Sequence, residues 1–475
     1  MSEEERRDME QEEREVLELV ERYERMLSQN ETSWFDSMEF LDIIDYYEEA
    51  EKEEQMKEAL FRAYKLFPDD EEIIIRVTSY YISTGEYQKA ERILKKALLK
   101  NESDELKGML ASCYVESDTH MRLAEKILTE LVAKNSDFPY FNYLLGIVNL
   151  KKKKYKKAEE LFRKVLNEFS DDESVLSNYV KCIADKTLVD TIISTLSGIT
   201  DQDPYNDEAW LALAISYFEI REEEKSLECV NYAIAIDTEE ETRHALKANI
   251  MIARREDDEY IKESLVASEY SDEKFTYYQA IGKVYLHQES YYSAIKYFKK
   301  AIEFEQFGIS LPESNFGLLE CCLMLGLEAE ATALLDKVNA LDYQAHYYIA
   351  FADRLHSLGF LALSKEIFEN YLDSEDDYLA MTATISVAYI EAERDNLIDG
   401  IKLLKDYINK NEMGDNVYLA MLDLSCRDSR YINYSRFALR YIIKKKEFHK
   451  EIENNFPDLL KNNNYIKCLK ELMNE

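Results

Sequence analysis

Glycine and proline are scarce, 11 and 5 in 475 residues. That leaves too few turn residues for a β-rich chain, which needs a turn about every ten residues. The seven cysteines, Cys113, Cys182, Cys229, Cys321, Cys322, Cys426 and Cys468, are odd in number and contain no C-x-x-C pair. They read as reduced thiols at helix interfaces, not as a disulfide framework or a zinc ribbon. Six histidines are scattered without H-E-x-x-H or any ligand spacing, so no metal is expected. No G-x-x-x-x-G-K-[ST], G-x-G-x-x-G or G-x-S-x-G occurs, so no cofactor, no small-molecule substrate and no catalysis are expected. No run of about 18 apolar residues is present, which argues against a membrane span. The opening "MSEEERRDMEQEEREVLELV" has acids where an export signal needs an apolar core, and a cytoplasmic location is expected.

Positive charge is also short. With 59 Lys and Arg against 96 Asp and Glu, the net charge is −37, which argues against direct nucleic-acid binding through phosphates. The imbalance is uneven. Residues 1–72 hold 26 acids against 9 bases, giving −17, and residues 401–475 hold 11 against 14, giving +3. An acidic head could attract basic partners.

What the chain does have is helix-forming composition, 46% hydrophobic and 33% charged, and a strict period. Met56, Ala90, Ala124, Ala158, Ile192, Ser226, Tyr260 and Ala294 stand 34 residues apart. A second column, mostly small, is Ile44, Thr78, Ser112, Gly146, Val180, Ala214, Ala248 and Gly282. A third runs from Ala63 through Ala97, Leu131, Val165, Ile199, Ala233 and Ala267 to Ala301. Small residues suit the places where helices cross closely. A fourth column is large, with Leu60, Leu94, Leu128, Phe162, Leu196, Val230 and Phe298 as knobs, broken by Ser264.

These columns, and the stretches "EAWLALAISYFEI" and "YYQAIGKVYLHQESYYSAIKYFKKAIEFE", resemble the tetratricopeptide repeat (TPR) family. The resemblance implies an all-α solenoid of antiparallel helix hairpins wound as a right-handed superhelix. Eight in-register repeats would fill residues 37–308 and four degenerate ones 309–448, where Ala331, Ser364, Gly400 and Tyr434 carry the period on. An acidic capping helix, 1–36, and a capping hairpin, 449–475, would shield the ends. Pro139 and Pro312 would open first helices. Gly108, Asn142 and His244 depart from the pattern where a large apolar residue is usual, and wider helix crossings are expected there.

The family's groove is lined by first helices. On the corresponding phase lie Leu41, Ile75 with Ile82, Met109, Tyr143 with Ile147 and Leu150, and Leu211 with Ile215 and Phe218. The i, i+4, i+7 spacing makes an apolar stripe distinct from the packing stripe of Trp210, Leu213, Ala214 and Tyr217. It fits a peptide or amphipathic helix of a partner protein, unless the chain's own curvature or terminal helix covers it. The expected function is a non-catalytic scaffold or adaptor. The alternative is an acidic regulatory protein that masks a basic, possibly nucleic-acid-binding, partner. The clamp of Lys and Asn by which some TPR domains hold chaperone tails is absent, since its phases carry Leu41 and Asp45, Ile75 and Ser79, Met109 and Cys113. Lys151 to Lys154 fall in a hairpin elbow, read as solvated or else as a contact for an acidic segment.

Overall fold

In a computed structural model, residues 3–29, 33–135, 138–304, 312–341, 343–411, 414–444 and 448–473 are described. Among them are 27 α-helices, four short 3-10 turns and no strand, so the protein is all-α. The chain divides into two compact units, residues 1–263 and 264–475.

The first unit opens with α1 (Glu3–Gln29) and continues as helical hairpins: α2 (Ser37–Glu49) with α3 (Glu53–Leu66), α4 (Glu71–Ser83) with α5 (Tyr87–Leu98), α6 (Asp104–Glu116) with α7 (Met121–Lys134), and α8 (Pro139–Lys151) with α9 (Tyr155–Leu166). Then come α10 (Glu173–Val180), α11 (Val189–Gln202), α12 (Asp207–Glu219), α13 (Glu223–Ile236) and α14 (Glu241–Ala253), with α15 (Asp257–Tyr270) carrying the division. Sequence dictates where these helices begin. Asp36, Asp70, Ser103, Asp172 and Asn206 cap the first helices by accepting backbone N–H groups, and Asp36 with Glu39 forms a full capping box. The second helices α3, α5, α7, α9 and α13 have no side-chain cap. They start from an elbow with a left-handed residue, such as Gly85 at φ 75°, Lys153 at 57° or Arg221 at 66°. The next amide reaches back to the first helix, as Glu86 N–H does to Tyr81 O at 2.7 Å and Lys154 N–H to Asn149 O at 2.8 Å. This closes a Schellman-type turn.

The 34-residue columns become the core. Ala90, Ala124, Ala158, Leu94, Leu128 and Phe162 are fully buried. Ser226 takes the alanine place by donating its hydroxyl to Ala214 O at 2.8 Å, so the polar group is satisfied in a tight crossing. The wider crossing expected at Gly108 is not found: an added Cβ would stand 2.5 Å from the Phe141 ring. The ring occupies the place of the missing side chain and lies against the helix backbone. In the fifth hairpin the period holds but the helix does not. After Val180 the chain unwinds into 3-10 turns over Lys181–Ala184 and Lys186–Leu188. Asp185 accepts from Thr187 N–H at 3.1 Å and Thr187 Oγ1 at 2.8 Å, a local turn that competes with helix. Val180 and Ile192 stay buried.

The second unit contains α16 (Lys274–His287) with α17 (Tyr291–Glu303), α18 (Pro312–Met324) with α19 (Glu328–Ala340), α20 (Ala345–Ser357) with α21 (Leu361–Glu369), α22 (Asp377–Glu393) with α23 (Leu397–Lys410), and α24 (Asp415–Cys426) with α25 (Ile432–Ile442). It ends in α26 (Phe448–Asn455), a 3-10 turn over Pro457–Lys461 and α27 (Asn463–Met473). Phe298 of α17 is fully buried, and Cβ atoms on Gly282 and Gly317 would come within 2.7 and 2.5 Å of its ring. Two missing side chains admit one phenyl ring. Ser364 repeats the Ser226 device, donating to Ala352 O at 2.7 Å.

Candidate partner-binding surface

The ten apolar residues of the candidate stripe all lie on first helices of the first unit. They do not form an open apolar floor. Leu41, Met109 and Leu211 are buried within their local cores. Ile75, Ile82, Tyr143 and Ile147 are half-buried against the core of α4 to α9, and Leu150, Ile215 and Phe218 against the next core. The seven half-buried residues present one flank each. On α12, Ala209, Leu211, Ala212, Leu213, Ala214 and Ser216 are all buried, so this helix is covered on most sides, and Ile215 and Phe218 stay half-buried, as do Trp210 and Tyr217.

Polar contacts between successive hairpins hold these helices in place, and the sequence reading missed them. Arg76 of α4 pairs with Asp45 at 2.6 Å and Glu48 at 3.2 Å on α2. Asn178 donates to the Tyr143 hydroxyl at 3.2 Å. The densest clasp is Arg243, whose side chain is 2% exposed and donates to Asp207 at 2.5 Å, Glu208 at 2.8 Å and Asp237 at 2.7 Å. Burial acts to lower the Arg243 pKa, but the carboxylates win and leave it raised. Beside it His244 Nδ1 lies 2.8 Å from Glu263 Oε2, and Lys247 lies 2.9 Å from the other oxygen. Burial works to raise the Glu263 pKa, and these two partners overcome it. The signal was present as charged pairs about one repeat apart, Arg243 following Asp207 by 36 residues.

The lysine run is largely spent inside the molecule. Lys151 donates to Val115 O at 2.7 Å, and Lys152 and Lys154 grip Glu125 from two sides, Lys154 at 2.7 Å. Hydrogen bonds from these two lysines hold the Glu125 carboxyl at about 2. The anionic contact is therefore α7 of the preceding hairpin, and only Lys153 of the four projects from the elbow as a left-handed residue.

All seven cysteines are buried and free. Burial pushes the thiol of Cys113 up to about 11 and those of Cys182, Cys229, Cys321 and Cys426 to about 12, so the thiolate form is not available near neutral pH. Among the described residues no three His, Cys, Asp or Glu side chains gather as a metal site, and no helix is long and apolar enough to cross a membrane.

Helical hairpins of this period, with small residues at the crossings and left-handed elbows, define a helical-repeat protein. Tetratricopeptide repeat family models match residues 119–173 and 275–306, so the chain carries tetratricopeptide repeats. As such it is a protein-interaction scaffold. No curated protein matches it. Among solved structures it is similar to a tetratricopeptide repeat protein from Parabacteroides merdae, at 14% identity over 53% of this chain and 98% of that one, TM-score 0.41. It is also similar to YrrB, described as a TPR protein with an unusual peptide-binding site, at 20% identity over 40% and 97%, TM-score 0.30. A third is the Cut9–Hcn1 hetero-tetramer of the APC/C, at 14% identity over 91% and 92%, TM-score 0.34. Family membership rests on the repeat models and the residue columns, not on these distant likenesses.

Proposed function

We propose that the chain is a non-catalytic scaffold that holds a peptide or helix of a partner protein along the first helices of its first unit. The supporting observation is the half-buried apolar edge of Tyr143, Ile147 and Leu150 on α8 and of Ile215 and Phe218 on α12. On α8 these side chains sit at i, i+4, i+7 spacing and on α12 three residues apart, each half-buried against the core, which suits docking of an apolar or amphipathic segment. Inter-hairpin clasps such as Arg243 with Asp207 and Glu208 preorganise the surface, so a partner does not bear the cost of ordering it.

The test is recovery of partners from native extract on the immobilised full chain, washed at low and then high salt. The expected partner survives high salt, because apolar contact does not weaken with ionic strength. It is lost in the Ile215→Asp, Phe218→Asp double variant, while circular dichroism and the unfolding temperature show a folded protein. Retention of every salt-resistant partner by that variant would overturn the proposal, as would a basic partner released by salt alone.

A further inference from the structure

Between α8 and α12 in the row of first helices stands α10, which touches both. On the phase where α8 has Tyr143, Ile147 and Leu150 and α12 has Leu211, Ile215 and Phe218, α10 and the turn after it have Ser177, Lys181 and Ala184. Two small residues flank one long side chain that ends in a charge. Lys181 is exposed, and its ammonium donates to Asn178 Oδ1 at 3.1 Å. The nitrogen of the same amide donates to the Tyr143 hydroxyl at 3.2 Å. This chain of hydrogen bonds ties the ammonium to the apolar residues of α8. Among the described residues no carboxylate pairs with Lys181. Asp185, the nearest acid along the chain, is taken up by the N–H and hydroxyl of Thr187. Lys151, which ends α8, is already held by Val115 O and Asp118. A neutral amide does not neutralise an ammonium, so Lys181 offers a charge to a ligand in the middle of the row.

We propose that the partner segment is extended and carries a carboxylate between two apolar side chains, with the carboxylate on Lys181 and the apolar groups against Ile147 of α8 and Ile215 of α12. This rests on the partner-binding reading above and names the chemistry of its ligand. Neighbouring helix axes lie about 8–10 Å apart, so two steps, from α8 through α10 to α12, cover about 16–20 Å. A polyproline II segment rises about 3.1 Å per residue and completes a turn in three. Its residues i, i+3 and i+6 therefore share one face over about 19 Å, one residue for each helix. An α-helix needs about 12 residues for that span, and its midpoint faces about 240° away from its first anchor. The pattern that fits is apolar-x-x-acid-x-x-apolar.

Fluorescence anisotropy of a labelled synthetic peptide, Leu-Pro-Ala-Glu-Pro-Ala-Leu, and of its counterparts with Gln or Lys in the central place, titrated with the full chain, tests it. Wild type is expected to bind the Glu peptide about three- to fivefold tighter than the Gln peptide, with the gap narrowing as salt rises. Lys181→Gln closes the gap, and Lys181→Glu turns the preference towards the Lys peptide, while circular dichroism shows unchanged helix. Lys186→Gln, an exposed change in the following turn, leaves the gap as in wild type. Equal binding of the Glu and Gln peptides by wild type, or a gap that persists in Lys181→Gln, would overturn the proposal. Loss of both peptides from the Ile215→Asp, Phe218→Asp variant would in that case leave the partner-binding reading standing. Failure of wild type to bind any of the peptides also overturns the proposal, and recovery from extract then decides the partner-binding reading by itself.

Discussion

At the scale of single residues, close approach and charge pairing decide what the chain tolerates. Gly400 of α23 faces the carbonyl of Ala388 so closely that any Cβ would overlap a backbone atom. Gly198 of α11 has nothing within 4 Å of its missing Cβ. Gly400→Ala is expected to destabilise by about 1–3 kcal/mol through overpacking. Gly198→Ala should stabilise by about 0.5–1 kcal/mol through chain entropy and helix propensity. Urea unfolding of the two variants compares them directly. Glu125 gives a pH prediction. Its carboxyl lies at about 2 in the folded protein against 4.5 ordinarily, so its stabilising effect is complete above about 4.5 and is lost as pH falls towards 2. The unfolding temperature of Glu125→Gln should therefore fall less over that acid range than that of wild type. The residue scale is also where the sequence was least legible. Gly400 was visible as a member of the small column, but nothing in its letter marks a carbonyl across the crossing. Arg243 passed unnoticed beside His244, because a buried cation is recognised only when its carboxylates, two adjacent on α12 and one that follows α13, are brought together.

At the scale of the helical element, the elbow carries the repeat. Gly85, Gly326 and Gly359 stand at elbows and have positive φ, the conformation glycine takes at no steric cost. The same conformation is taken by Glu51, Lys153, Arg221, Arg255, Glu289 and Asp395, residues that give no local hint. Here tertiary packing of the flanking helices overrides a backbone preference of about 1 kcal/mol or more. Relief of that strain is measurable: Arg221→Gly and Glu289→Gly should each raise stability by about 0.5–1 kcal/mol, read as a higher unfolding midpoint. No gain from either change would show that the elbows are unstrained. Helix boundaries followed the sequence where Asp, Ser or Asn supplies a cap, as at Asp36 and Asn206. The unwinding after α10 did not show in the period, because Val180 and Ile192 keep their column positions while the backbone between them turns on Asp185.

At the scale of the whole molecule, the all-α repeat architecture was legible because 34-residue spacing acts on many side chains at once. One misplaced residue cannot hide it. The candidate surface was legible only as a phase on the first helices. Which part of each side chain remains open depends on how far the neighbouring hairpins cover it, and Leu41, Met109 and Leu211 proved to be core residues while Ile215 and Phe218 kept an edge. Acidity likewise could be counted but not placed: Lys152 and Lys154 of the fourth elbow answer Glu125, while Arg243 is buried among carboxylates of two segments. The central claim is that the first helices of the first unit hold a partner through their apolar edge. Hydrogen–deuterium exchange of the full chain, with and without its salt-resistant partner, tests this most directly. The account predicts slowed exchange confined to first helices, strongest on α8 and α12 and absent in the Ile215→Asp, Phe218→Asp variant. Protection centred instead on second helices or on α1, with α8 and α12 unchanged, would contradict it.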